Sequence, residues 1–175
     1  MALLAVQVHS NQWLKRSHEL ENELRRVAKL AEQREMHGEA TRSFYLISFL
    51  HNERGDFAKA SATSLEAAAA GRAADVATRQ HQLANTGRCL ALVERDVERA
   101  QDLLREAESL GQGFGGRTRL EMVLGEGLLR AFKGLDAEAI PLLAQAAELA
   151  AAESDPWCES QALIRLCLLY TSRCV

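Results

Sequence analysis

Two stretches decide the fold: Asp56-Phe-Ala-Lys-Ala60-Ser-Ala-Thr-Ser64-Leu-Glu-Ala67 and Asp96-Val-Glu-Arg-Ala100-Gln-Asp-Leu-Leu104-Arg-Glu-Ala107. Each opens on an acid able to cap a helix and repeats a small residue, a central residue and a second small residue at intervals of four and three. That spacing puts the three side chains on one helix face. A third copy, Gly134-Leu-Asp136-Ala-Glu-Ala139-Ile-Pro-Leu-Leu143-Ala-Gln-Ala146, continues the pattern. The first alanines stand at 60, 100 and 139, so the steps are 40 and 39 residues. A fixed period of that size with helical punctuation predicts an α-solenoid, a row of antiparallel helical hairpins. Alanine has a physical reason at these places: only a small side chain lets two helix axes cross closely.

Composition agrees. The chain has 175 residues with 29 Ala and 27 Leu, whereas Val, Ile and Thr together number 17, which is helix composition and nearly excludes a sheet protein. Lys plus Arg number 21 against 24 Asp plus Glu, a net charge of −3, so binding of nucleic acid through bulk charge is not expected. No run approaches the ~20 apolar residues that span a bilayer, so no membrane partner is expected either. The apolar start Met1 to Val8 lacks a basic segment and reads as a packed N-terminus rather than a signal peptide. Reduced thiols and a cytoplasmic location fit that reading.

Punctuation sets the helices. An N-terminal helix from about Asn11 to Met36 carries Trp13, Leu20, Leu24, Val27 and Ala31 on one stripe, with acids and bases mixed on the other face. Residues 1–37 are therefore read as a helix packing on the array, and residues 38–166 as the repeats, at about 38–74, 75–116, 117–153 and a partial 154–166. Within them, helices are expected over about Glu39 to Glu53, Phe57 to Ala70, Asp75 to Val93, Val97 to Leu110, Thr118 to Lys133 and Asp136 to Ala152. Asp96 reads as a cap, and Asp155-Pro156 opens a last helix. Pro141, beyond a first turn, predicts a kink or a later helix start.

Motifs for chemistry are few. Gly111-Gln-Gly113-Phe-Gly-Gly116 satisfies G-x-G-x-x-G but follows a helix rather than a strand, so it reads as a loop and not a nucleotide site. The cysteines at 89, 158, 167 and 174 lack metal-ligand spacing, and Cys89 reads as a small core residue. The histidines at 9, 18, 37, 51 and 81 are scattered and read as surface or groove residues. Glu94, Asp96 and Glu98 fit helix-end capping better than acid catalysis. No catalytic residue, cofactor or metal is assigned, and the chain reads as non-enzymatic.

The pattern resembles tetratricopeptide repeats: small residues within the first helices at Ser48, Gly87 and Gly127, bulky places at Phe44 and Ile47, a Gly55-Asp56 turn, and Ala-x3-large-x2-Ala in the second helices. It departs from that family in its period, near 40 rather than 34. It departs also in the scarcity of aromatic anchors and in Arg95, which stands where the turn glycine is expected. Long Ala/Leu-rich repeats of this kind look most like the helical-repeat region of bacterial ATP-dependent transcriptional regulators of the maltose-activator and LuxR type. The resemblance implies a fragment that binds a protein, a peptide or a small inducer while separate domains handle ATP and DNA. A free-standing scaffold or adaptor, and an accessory region of a nucleotide-cyclase signalling enzyme, fit the same repeats. In such arrays the first helices line the concave face, which implies Arg42, Tyr45, Phe49, Asn52, His81 and Arg88 as candidate partner contacts. Their basic groups suit an acidic peptide, and Tyr45 or Phe49 an apolar anchor.

The last nine residues, Cys167-Leu-Leu-Tyr-Thr-Ser-Arg-Cys-Val175, resemble a translated sequencing-library adapter, since triplets resembling two head-to-head transposase mosaic ends can encode them and the next triplet of that palindrome is a stop codon. Residues 167–175 are on that reading a non-native tail, and the natural protein is expected to continue past about Leu166. An incomplete last hairpin is expected to leave an apolar C-terminal end able to self-associate.

Overall fold

A computed structural model describes residues 17–111, 113 and 115–172. The described chain is all-α: eight helices and no strand. They are α1 (Ser17–Gln33), α2 (His37–Glu53), α3 (Phe57–Gly71), α4 (Val76–Leu92), α5 (Val97–Ser109), α6 (Gly116–Phe132), α7 (Asp136–Ala152) and α8 (Pro156–Ser172). None is long and apolar enough to cross a membrane. The chain divides into two compact units, Met1–Gln82 and Leu83–Val175.

In the first unit α1 buries Ser17, Leu20, Leu24, Ala28 and Ala31 against α2. Ala28 takes the deep place expected of Val27, which is only half-buried, and Trp13 lies outside the described residues. Leu20, Leu24, Leu46, Ile47 and Leu50 make one core cluster. Truncating one of these leucines to alanine typically costs about 2–5 kcal/mol. The helix ends at Gln33 rather than Met36 because Glu35 turns left-handed at φ 56°. That turn lets the Met36 amide reach back to Ala31 O (2.9 Å) and the Glu35 amide to Glu32 O (3.1 Å). These two bonds are the Schellman closure of a helix end.

Helices α2 and α3 are antiparallel, since Thr41 donates to Ala67 O (3.2 Å) while Ser48 donates to Ala60 O (3.0 Å). Gly55, at φ 75°, makes their turn, and Asp56 caps α3 by accepting from the Lys59 amide at 3.4 Å. Ala60 and Ala67 are buried as the repeat pattern requires.

In the second unit the same closures recur at Glu94, Gly134 and Ser154, all with positive φ. In the turn read at Glu94-Arg95, Glu94 takes the left-handed backbone, whereas the resemblance sets Arg95 in the turn glycine's place. Asp96 does not cap α5: its own backbone is left-handed (φ 51°), so the carboxylate forms no capping bond. An N-cap side chain needs extended backbone to fold over the first turn. Asp75 and Asp155 do cap, accepting from the amides of Thr78 (3.0 Å) and Cys158 (3.1 Å). Pro141 delays nothing, because α7 runs from Asp136 to Ala152 with the proline ring on its exposed side.

Close packing explains the small residues. A Cβ built on Gly87 would lie 2.8 Å from the Leu104 side chain and 3.1 Å from Ala100 O, and one on Gly127 would lie 3.0 Å from Leu143. Ala100, Ala107, Ala139 and Ala146 are fully buried on the facing helices. In the first unit the equivalent contact is Ser48 against Ser64, Oγ to Oγ at 2.6 Å. Two medium hydroxyls there replace the glycine and leucine used later.

Candidate functional site

Arg42, Tyr45, Phe49 and Asn52 stand at i, i+3, i+7 and i+10 on α2, so one helix face presents all four. Arg42 is exposed. Tyr45 and Phe49 are half-buried and rest on the Leu20, Leu24, Leu46, Ile47 and Leu50 cluster. Asn52 is half-buried, and its Oδ1 has no hydrogen-bond partner. This face thus offers one open cation beside two aromatic edges and an amide. His81 and Arg88 lie two turns apart on α4, His81 half-buried and Arg88 only 4 % exposed.

Arg88 is not a surface contact. Its Nε donates to Glu121 Oε2, its Nη1 to Gln161 Oε1 (3.0 Å) and its Nη2 to Asn85 Oδ1 (3.0 Å) and to Cys89 Sγ (3.3 Å). Glu121, 1 % exposed, also faces Arg117, whose Nη2 pairs with Asp155 Oδ2 at 2.8 Å. Two guanidinium groups and two carboxylates balance in charge, and the side-chain oxygens of Asn85 and Gln161 accept from Arg88 as well. Desolvation makes such a network costly to break once formed. Beside it, burial pushes the Cys158 thiol up to about 12, with Arg88 opposing and Glu121 and Asp155 reinforcing the rise. A thiol so held is protonated at neutral pH and is not poised as a nucleophile.

A second polar group lies in the first unit. Glu21 Oε2 accepts from Arg54 Nη1 at 2.8 Å, and Arg54 Nη2 donates to Ser17 O at 2.8 Å. His51 sits inside at 1 % exposure, not on the surface where its scattered spacing suggested, with Nε2 3.5 Å from Glu21 Oε1 and no hydrogen bond to either ring nitrogen. Burial lowers its pKa below the ordinary 6.5, with Arg54 and Arg25 adding to the drop and Glu21 and Asp56 resisting it. Burial works to raise the Glu21 carboxyl, but the Arg54 hydrogen bond, His51 and Arg25 outweigh it and hold the group below its ordinary range. Burial alone raises Glu53.

Among the described residues no group of three His, Cys, Asp or Glu side chains could hold a metal ion. A shallow hollow of about 350 Å³ on α1 is lined by Glu23, Arg26, Val27, Lys29, Leu30 and Gln33, charges of both signs around two apolar side chains. The outward face of α8 is more distinctive: Trp157, Leu163, Ile164, Leu168 and Tyr170 are all exposed and none is charged. The α2 residues come from the resemblance to tetratricopeptide arrays, whereas neither the resemblance nor the spacing points to the Glu121 and Gln161 partners of Arg88 or to Glu21 beside His51, which lie 30 to 73 residues away. No family model, curated protein or solved structure matches the chain.

Proposed function

We propose that the chain is a non-catalytic helical-repeat module that binds a protein or peptide, or a small inducer, through the α2 face that carries Arg42. The observation that carries the reading is the repeated size-matched contact between the first and second helix of each pair: Ser48 with Ser64, Gly87 with Leu104, Gly127 with Leu143. The register supports a period near 40, since the helix-opening residues Asp75, Gly115 and Asp155 and the left-handed turns at 55, 94 and 134 recur at steps of 39 or 40 residues. A repeat array of this kind spends its small residues on its own packing and leaves binding to side chains on its outer helix faces. The wider setting suggested by the resemblance is a bacterial ATP-dependent transcriptional regulator of the maltose-activator and LuxR type, in the cytoplasm, whose other domains handle ATP and DNA.

Arg42 beside Tyr45 and Phe49 suits an acidic peptide with an apolar anchor. A fluorescence-anisotropy titration of labelled acidic peptides against the full chain tests this. Saturable binding that falls at least tenfold in Arg42→Glu and Phe49→Ala supports the reading. Binding by no peptide, or binding indifferent to both substitutions, overturns it.

A further inference from the structure

In the second unit α4 meets both α6 and α8, and the two seams are built differently. Against α6 it packs closely: a Cβ on Gly125 of α6 would lie 3.3 Å from Arg88 Cα and 3.0 Å from the Leu104 side chain. The buried charge pair of Arg88 with Glu121 belongs to that seam. The ties to α8 run instead through the ends of long polar side chains. Arg88 Nη1 donates to Gln161 Oε1 at 3.0 Å, and just past the end of α4 Glu94 Oε1 accepts from Arg165 Nη2 at 2.8 Å. Neither tie is strong. Gln161 is neutral, so its departure leaves Arg88 paired with Glu121 and strands no charge. Glu94 and Arg165 are both partly exposed, where an ion pair contributes little and salt screens it. Closure also has a cost. An arginine can only donate, so Asn85 Oδ1 and Gln161 Oε1 must both face Arg88, which turns both amide NH2 groups away from it. Asn85 Nδ2 and Gln161 Nε2 are buried and find no acceptor among the described residues. A donor held so is unfavourable, and opening the seam would give both of them to water.

We infer that α8 is a clasp that closes over Arg88 and swings off α4 as an intact helix, in a local opening that leaves the rest of the unit folded. Closed, it withholds an arginine that the repeat resemblance offers to a partner. Open, it presents that guanidinium, still paired with Glu121, to solvent. The clasp lies wholly in the second unit and uses none of the α2 residues, so this inference and the reading proposed above can fail separately.

Two buried cysteines flank the seam and report on it. Cys89 of α4 has its Sγ 3.3 Å from Arg88 Nη2, and Cys158 stands one turn before Gln161 on α8. The full chain carrying Cys167→Ser and Cys174→Ser is labelled with iodoacetamide across a urea series, each thiol being followed by mass spectrometry while amide exchange is measured on the same chain. Both thiols should react at least about tenfold faster than unfolding permits, unfolding being read from the slowest amides of α6 and α7. Their opening rates should match and hardly change at low urea, and the amides of residues 159–165 should stay protected meanwhile. Arg165→Gln should raise both rates about two- to fivefold. Salt at about 1 M should do the same to the parent and nothing to Arg165→Gln. Thiols that react only as fast as the unit unfolds overturn the inference. So does labelling of Cys158 without Cys89, which is fraying of α8, and so does exchange of residues 159–165 at the labelling rate, which is melting of α8. Rates indifferent to Arg165→Gln overturn it as well.

Discussion

Ser48 and Ser64 answer the same steric demand as Gly87 with Leu104 and Gly127 with Leu143, but by sharing volume and a hydrogen bond instead of dividing small from large. Ser64→Leu alone should therefore destabilise, by about 1–3 kcal/mol for overpacking. Adding Ser48→Gly should bring the double variant back to within about 1 kcal/mol of the parent, the remainder being the helix cost of glycine. Urea denaturation of the two variants checks this, and a double variant no better than the single one would show that the two sites do not exchange volume. Arg88 poses the opposite problem, a charge inside. Glu121→Gln should leave its guanidinium without a full counter-charge and cost about 3–5 kcal/mol, whereas Arg88→Met with Glu121→Leu should cost far less, since neither then buries an unpaired charge. Equal losses in the two variants would mean that the pair is worth more than its own desolvation.

Helix ends are where composition speaks most clearly and where it misleads. Seven helix starts or stops follow from glycine or aspartate: Gly55, Asp56, Gly71, Asp75, Gly134, Asp136 and Asp155 all fall within a residue or two of a boundary. Asp96 does not read correctly, because capping depends on backbone angles and an acid in the left-handed region cannot fold over its helix. The α2 residues come from the resemblance to tetratricopeptide arrays, and what the helix adds is that 42, 45, 49 and 52 fall on one stripe. Arg88 and His51 were not legible, because no local pattern signals a guanidinium or imidazole whose neighbours come from other helices. One boundary carries a prediction. Ser154 closes α7 at φ 55°, exposed, where a side chain clashes with its own backbone and glycine does not. Ser154→Gly should stabilise by about 1 kcal/mol, which for a chain of this size is a rise of about 2–4 °C in Tm. An unchanged or lower Tm in scanning calorimetry would show that the left-handed serine carries no strain.

At the scale of the whole molecule, each compact unit carries its own buried polar group, but the two differ in what protons do to them. The second unit holds a charge-balanced pair, Arg88 with Glu121. The first holds His51, neutral and 1 % exposed, facing Glu21 and Arg25 from α1 and Arg54 and Asp56 from the α2–α3 turn, with Glu53 two residues along α2. Because burial lowers the folded pKa of His51 below 6.5, the unfolded chain binds more protons in that region, and stability falls as pH drops through and below 6.5. Glu21, also lowered, adds a loss only below its ordinary 4.5. Glu53 acts the other way: its raised pKa makes the folded state bind the extra proton above 4.5, so it becomes stabilising as pH falls. Between pH 7.5 and pH 5.5 His51 therefore contributes a loss of stability and Glu53 works against it. His51→Gln should shrink the stability difference between those two pH values, and Glu53→Gln should widen it. Urea midpoints at the two pH values measure it, and amide exchange over residues 37–71 locates it in α2 and α3. A difference unmoved by His51→Gln would assign the pH dependence to groups other than the buried imidazole, and a Glu53→Gln variant with a smaller difference would reverse the sign assigned to that carboxyl.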